Sequence, residues 1–135
     1  MKERVKSLYM DMAQRAAQMS RANRLKVGCL VVKDDNIISF SWNGTPAGWD
    51  NDCEDETNIT KPEVIHAEAN AISKLAKNAA SGSGATMFIT HAPCMECAKL
   101  IYGAGITNVL YRNQYRSDAG IEFLTKCNVT VEQYE

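Results

Sequence analysis

Two short motifs constrain this chain more than anything else in it: His66-Ala67-Glu68 and Pro93-Cys94-Met95-Glu96-Cys97. Together they read H-x-E and P-C-x-x-C. One imidazole and two thiolates supply three ligands of a tetrahedral zinc and leave the fourth position open, as a catalytic zinc requires. Glu68, two residues past His66, is then placed beside the metal and free to move protons. Any fold the chain adopts must bring these two distant segments to one point.

Cys94 and Cys97 are three apart on one expected helix, so both sulfurs point the same way. They sit in its first turn, where the helix dipole and free N–H groups favour thiolate, the form that binds zinc. His66 comes from the start of another expected helix. A C-x-x-C alone is shared by redox dithiols and structural zinc sites. A structural zinc would need a fourth protein ligand, and His91 and the other three cysteines show no ligand spacing. With His66-x-Glu68 added, the pattern is that of zinc deaminases acting on cytosine or adenine. Zinc would lower the pKa of a water. Glu68 would take its proton, deliver it to the ring nitrogen beside the attacked carbon, and help ammonia leave.

Periodicity supplies the frame. Val5, Leu8, Tyr9, Met12, Ala13, Ala16 and Met19 form one apolar stripe of a helix over residues 3–19. Val27–Val32 and Ile37–Trp42, joined by Lys33-Asp34-Asp35-Asn36, read as a β-hairpin with Cys29 buried in its first strand. Asn43–Gly48 is a tight loop and Asp50–Lys61 a long, acidic surface insertion. Pro62 is expected to open the helix that carries His66. A strand follows over 85–90, and a helix over 94–102 with Pro93 just inside its start. A strand over 107–111, a helix over 117–126 with Ile121 and Leu124 inward, and a strand over 129–131 complete the chain. The order α-β-β-α-β-α-β-α-β implies a mixed five-stranded sheet with helices on both faces.

At 135 residues and 45% hydrophobic, one domain over 1–135 is expected. No apolar block approaches a membrane span, and Met1-Lys2-Glu3-Arg4 leads into no signal-peptide core, so a cytoplasmic location is expected. Five cysteines, two of them in C-x-x-C, favour metal binding in a reducing compartment over a disulfide framework. A net charge of −1 favours a small substrate over a polynucleotide, which would call for a basic face.

At these motifs the chain resembles the cytidine deaminase superfamily, and within it the deoxycytidylate (dCMP) deaminase branch. The resemblance runs through Val27-Gly28, Asn43-Gly44-Thr45-Pro46-Ala47-Gly48, His66–Ile72, Ala92–Lys99 and Tyr115-x-Ser117-Asp118. It implies an α/β/α sandwich and an oligomer, usually a hexamer. It also implies hydrolysis of dCMP to dUMP and ammonia, supplying dUMP for thymidylate synthesis. In site terms it implies that Asn43 bonds the deoxyribose, the backbone at Ala67 reads the cytosine, and the carbonyl around Ala92 receives the amino group. Arg24, with Lys26 as the alternative, and Tyr115-Arg116 would hold the phosphate. Gly44, Thr45, Pro46, Gly48 and Cys53 match the family's effector site, where dCTP activates and dTTP inhibits with Mg2+. Three alternatives remain open: dCTP as the substrate, a base in tRNA or another nucleic acid, and a non-enzymatic zinc module.

Overall fold

The computed structural model describes residues 1–135. Its elements are α1 (Glu3–Ala17), β1 (Gly28–Lys33), β2 (Asn36–Trp42), α2 (Ala67–Lys77), β3 (Thr86–His91), α3 (Met95–Gly103), β4 (Asn108–Asn113), α4 (Ala119–Lys126) and β5 (Thr130–Gln133). The strands form one mixed sheet in the order β2-β1-β3-β4-β5. β1 is antiparallel to both neighbours, while β3, β4 and β5 run parallel. The β1–β2 turn places Asp34 and Asp35 at φ 50° and 61°, the left-handed pair that matches the twist of a hairpin. No helix is long and apolar enough to cross a membrane.

Alternation along the strands divides the core. Cys29, Val31, Met87, Ile89 and Val109 face a cluster built with α2, α3 and α4 through Ala71, Leu75, Ala98, Ile101 and Leu124. Leu30, Val32, Phe88 and Leu110 face α1 through Tyr9, Met10 and Ala13. Helices therefore cover both faces, three on one side and one on the other. Leu124 is fully buried, and Ile121 is half-buried at the margin of its helix.

The structure corrects three expectations. The buried face of α1 is Tyr9, Met10, Ala13, Ala16 and Ala17, whereas Leu8, Met12 and Met19 are exposed. The reason is the closeness of α1 to β1. A Cβ on Gly28 would stand 1.9 Å from the Ala13 carbonyl oxygen and 2.5 Å from the Ala17 nitrogen, so only small side chains fit at the C-terminal end of the helix, at Ala13, Ala16 and Ala17, while Tyr9 and Met10 pack farther from this contact. Pro62 does not open α2. Residues 62–65 stay extended or turned because Ile65 pairs with Gly44, N–H to O at 2.8 Å and O to N–H at 3.1 Å. The helix starts only after His66, which leaves Glu63 outside its first turn. Pro93 likewise precedes α3, because Cys94 is its extended N-cap residue (φ −72°, ψ 170°).

Candidate active site

His66 and Cys94 occupy the same structural position, the N-cap of a helix, each in an extended conformation. Neither side chain caps its own helix, which leaves both free to point at a shared centre. Cys97 is in the first turn of α3. The sulfurs of Cys94 and Cys97 lie 3.6 and 3.4 Å from His66 Nδ1. Ligands at zinc–sulfur and zinc–nitrogen lengths with a tetrahedral angle between them would stand about 3.6 Å apart. The donor atoms all lie within 4.8 Å of one another, and no fourth residue joins them. The trio therefore fits a zinc with one open position.

Electrostatics agree with that reading. The Cys94 thiol is pulled down to about 3 by hydrogen bonds with Cys97 and His66. Cys97, donating an S–H hydrogen bond to that thiolate and buried, is pushed up. The pair thus favours one thiolate, and a second would need a cation between the sulfurs. The same contact with Cys94 raises His66. Glu68 is only 4% exposed, and burial lifts its carboxyl to about 7, against opposing hydrogen bonding from its own backbone and the charge of His66. A carboxyl near 7 exchanges protons in both directions at neutral pH.

A cavity of about 720 Å³ opens from this centre, and His66, Ala67, Glu68, Ala92 and Cys94 form its inner end. Arg24, Asn43, Tyr115 and Arg116 line the same cavity, so all six residues expected to bind substrate are brought together. Lys26, the alternative to Arg24, is not among the lining residues. The Arg116 guanidinium stacks 5.3 Å from the Tyr115 ring centre. Asn43 also works structurally: its Oδ1 accepts from Val27 N–H at 2.9 Å and its Nδ2 donates to the Leu25 carbonyl at 2.8 Å.

Gly44, Thr45 and Cys53 border a second, smaller cavity of about 230 Å³, with Arg21, Trp42 and Asn70. Pro46 and Gly48 are outside its lining. Asn43 and Cys53 belong to both cavities and so divide them.

Several site residues escape motif reading. Thr90, fully buried, accepts from Gly28 N–H at 3.1 Å and contacts His91 Nδ1 at 2.9 Å through its hydroxyl. His91 lines the cavity, and burial lowers its pKa. Ser41 and Ser39 donate to the carbonyls of Ala67 and Ala71, tying α2 to β2. Gly120 is the point where α4 meets the metal loop: a Cβ there would stand 2.2 Å from the Pro93 carbonyl oxygen. The visible signal for the serines and the threonine is a hydroxyl in an otherwise apolar strand.

Comparison with known proteins now decides the family. The cytidine and deoxycytidylate deaminase zinc-binding region matches residues 3–113. The chain belongs to the cytidine and deoxycytidylate deaminase family. Within that family it is 36% identical over 132 residues to ComE operon protein 2 of Bacillus subtilis, covering 94% of this chain and 69% of that one. It is 34% identical over 119 residues to human deoxycytidylate deaminase, covering 82% of this chain and 66% of the human one. The dCMP deaminase of cyanophage S-TIM5, solved in complex with dCMP and dUMP, superposes with a TM-score of 0.97 at 45% identity over 99% of both chains. The five-stranded α/β/α sandwich is thus the fold of this deaminase family.

Proposed function

We propose that this chain, acting as one domain over residues 1–135, hydrolyses dCMP to dUMP and ammonia. The observation that carries the proposal is the cavity itself. One end is lined by Glu68 and by His66 and Cys94 of the His66–Cys94–Cys97 centre, and the walls bring Arg24, Tyr115 and Arg116 into the same space. Its volume suits a nucleoside monophosphate. Similarity to the cyanophage enzyme solved with dCMP and dUMP supports the same substrate.

Each residue then has a task. His66 Nδ1 and the two thiolates hold zinc, which when bound supplies the acidity that makes a water reactive near neutral pH. Glu68 accepts a proton from the attacking water and passes it to N3 of the cytosine as the C4–O bond forms, then takes the proton of the new C4 hydroxyl and delivers it to the amino group, so that C4=O forms as the C–N bond breaks. Water and dCMP enter; dUMP and ammonia leave, so the protons balance. The Ala67 backbone N–H orients the ring, and the Ala92 carbonyl receives the amino group. Asn43, already rigid through its two backbone bonds, presents its amide to the deoxyribose, and Arg24, Tyr115 and Arg116 take the phosphate. A base in a polynucleotide is less favoured. The hairpin over 53–61 walls the cavity with Ile59 and Thr60 and adds the negative charges of Glu54, Asp55 and Glu56.

The second cavity supports a regulatory role for the Gly44–Gly48 loop and Cys53, with dCTP activating and dTTP inhibiting as magnesium complexes. Magnesium prefers oxygen ligands and would not compete for the thiolate site. Exposed Leu8 and Met12 on α1, and Met95, Leu100 and Tyr102 on α3, support an oligomer, which we take to be a hexamer.

The test is ammonia release by the zinc-loaded protein from dCMP, deoxycytidine, dCTP and a stem-loop RNA. dCMP should exceed deoxycytidine by at least about 100-fold in kcat/KM, since charge-assisted phosphate contacts are strong. Turnover of RNA above dCMP would overturn the proposal. With dCMP the rate curve should be sigmoidal, become hyperbolic with dCTP, and be suppressed by dTTP.

A further inference from the structure

We infer that Glu54 is a positioning residue for the phosphate end of the cavity, holding the Asn23–Arg24 backbone so that the Arg24 guanidinium is presented to the substrate. The inference rests on the proposed reading of Arg24 as a phosphate ligand. Residues Ser20–Val27 link α1 to β1 without helix or strand, so side chains must fix their path. Ser20 Oγ accepts from Ala22 N–H and donates to the Asn43 carbonyl. Asn43 clamps Leu25 and Val27. Between these clamps lie Asn23 and Arg24, held only by Glu54. Its carboxylate accepts from Asn23 N–H at 3.1 and 3.0 Å, one distance to each oxygen, and from Arg24 N–H at 3.1 Å.

Glu54 reaches across from a rigid support. In the hairpin over 53–61, Lys61 N–H donates to the Cys53 carbonyl and Asp55 N–H to the Ile59 carbonyl, both at 2.8 Å. Asp55 Oδ1 collects Thr57 N–H, Thr57 Oγ1 and Ile59 N–H at 2.7–3.0 Å. A carboxylate so near an arginine would ordinarily pair with it and compete with a phosphate. Here both oxygens are engaged by backbone N–H groups, and the Arg24 guanidinium enters none of the chain's ion pairs. The acid therefore organises the Asn23–Arg24 backbone without forming an ion pair with the Arg24 guanidinium. Its neighbour Cys53 borders both cavities, so the same hairpin ties the second cavity to the Arg24 loop.

Glu54→Ala, Glu54→Gln and Arg24→Ala would be compared with the parent on dCMP and on deoxycytidine, which lacks the phosphate. For Glu54→Ala, KM for dCMP should rise about tenfold, some 1.4 kcal/mol, with kcat within about twofold and deoxycytidine kinetics unchanged. Glu54→Gln, which keeps an acceptor, should fall between. Amide exchange at Asn23 and Arg24 should accelerate in Glu54→Ala. Calorimetric binding of dUMP against deoxyuridine gives the same split without turnover. If Arg24→Ala leaves dCMP affinity unchanged, the phosphate reading fails, and the inference with it. If Arg24→Ala weakens dCMP while Glu54→Ala does not, or if Glu54→Ala depresses both substrates equally, the positioning role is wrong. Unchanged amide exchange at Asn23 and Arg24 would remove the brace itself.

Discussion

The two ends of the cavity are built in opposite ways. At the metal end, every key residue sits on or beside a helix N-terminus that the sheet holds in place: His66 before α2, Glu68 within it, Cys94 before α3, Cys97 within it. At the outer end, Arg24, Asn43, the 53–61 hairpin and Tyr115–Arg116 lie on irregular backbone, most of it tied by side-chain hydrogen bonds. Chemistry needs atoms fixed to fractions of an ångström, and packed regular elements supply that. Recognition of a phosphate tolerates more latitude, and loops vary without disturbing the core. Substitutions at the metal end should therefore act on kcat and metal content, and those at the outer end on KM.

The largest effect should come from Glu68→Ala. Loss of the proton carrier should lower kcat by about 10³–10⁴, while zinc content, measured by elemental analysis, stays near one per chain. Loss of the metal in that variant would make Glu68 a ligand. Cys94→Ala and Cys97→Ala should each lose zinc and lower Tm together, because metal binding is coupled to folding. A variant that stayed zinc-loaded and as heat-stable as the parent would sink the ligand assignment.

Gly120→Ala sharpens the comparison, since it strikes the metal end from outside. The added carbon must push the Pro93–Cys94 backbone or shift α4. Overpacking of this kind costs about 1–3 kcal/mol, so we expect a lower Tm with weaker zinc retention and a loss in kcat rather than a rise in KM. A selective rise in KM for dCMP would mean that α4 serves the outer end instead.

The same contrast explains what could be read from the sequence. The metal end was legible because ligand chemistry demands particular residues at particular spacings, and His66, Glu68, Cys94 and Cys97 do converge. The element order and the mixed sheet followed from alternation and turn residues. The buried face of α1 was not legible: its larger residues Leu8, Met12 and Met19 make the more apolar stripe, yet the close approach at Gly28 selects the alanines. Pro62 resembled a helix start, and the pairing of Ile65 with Gly44, which keeps that segment extended, is a contact between residues far apart in sequence. Glu54 gave no signal, because it binds backbone N–H groups thirty residues away, and any residue but proline offers those.

The smallest effect probes the border between the two ends, at His91. It is the last residue of β3, half-buried in the cavity wall, with Nδ1 against the Thr90 hydroxyl. Burial alone lowers its pKa below the ordinary value of 6.5. The unfolded chain therefore takes up a proton near pH 6.5 that the folded protein resists until lower pH. Stability is full above 6.5, declines as pH falls from there to the lowered folded value, and is level below it. His91→Gln removes this proton uptake while keeping a polar side chain. The Tm of the parent minus that of His91→Gln should be constant from pH 8 to 7 and should fall between pH 6.5 and 5. His66 and Glu68 titrate in both proteins and largely cancel in the difference. A difference that stays flat, or grows, on acidification would show that the cavity wall accommodates a charged imidazole, and would place His91 with the solvated outer end rather than with the packed metal end.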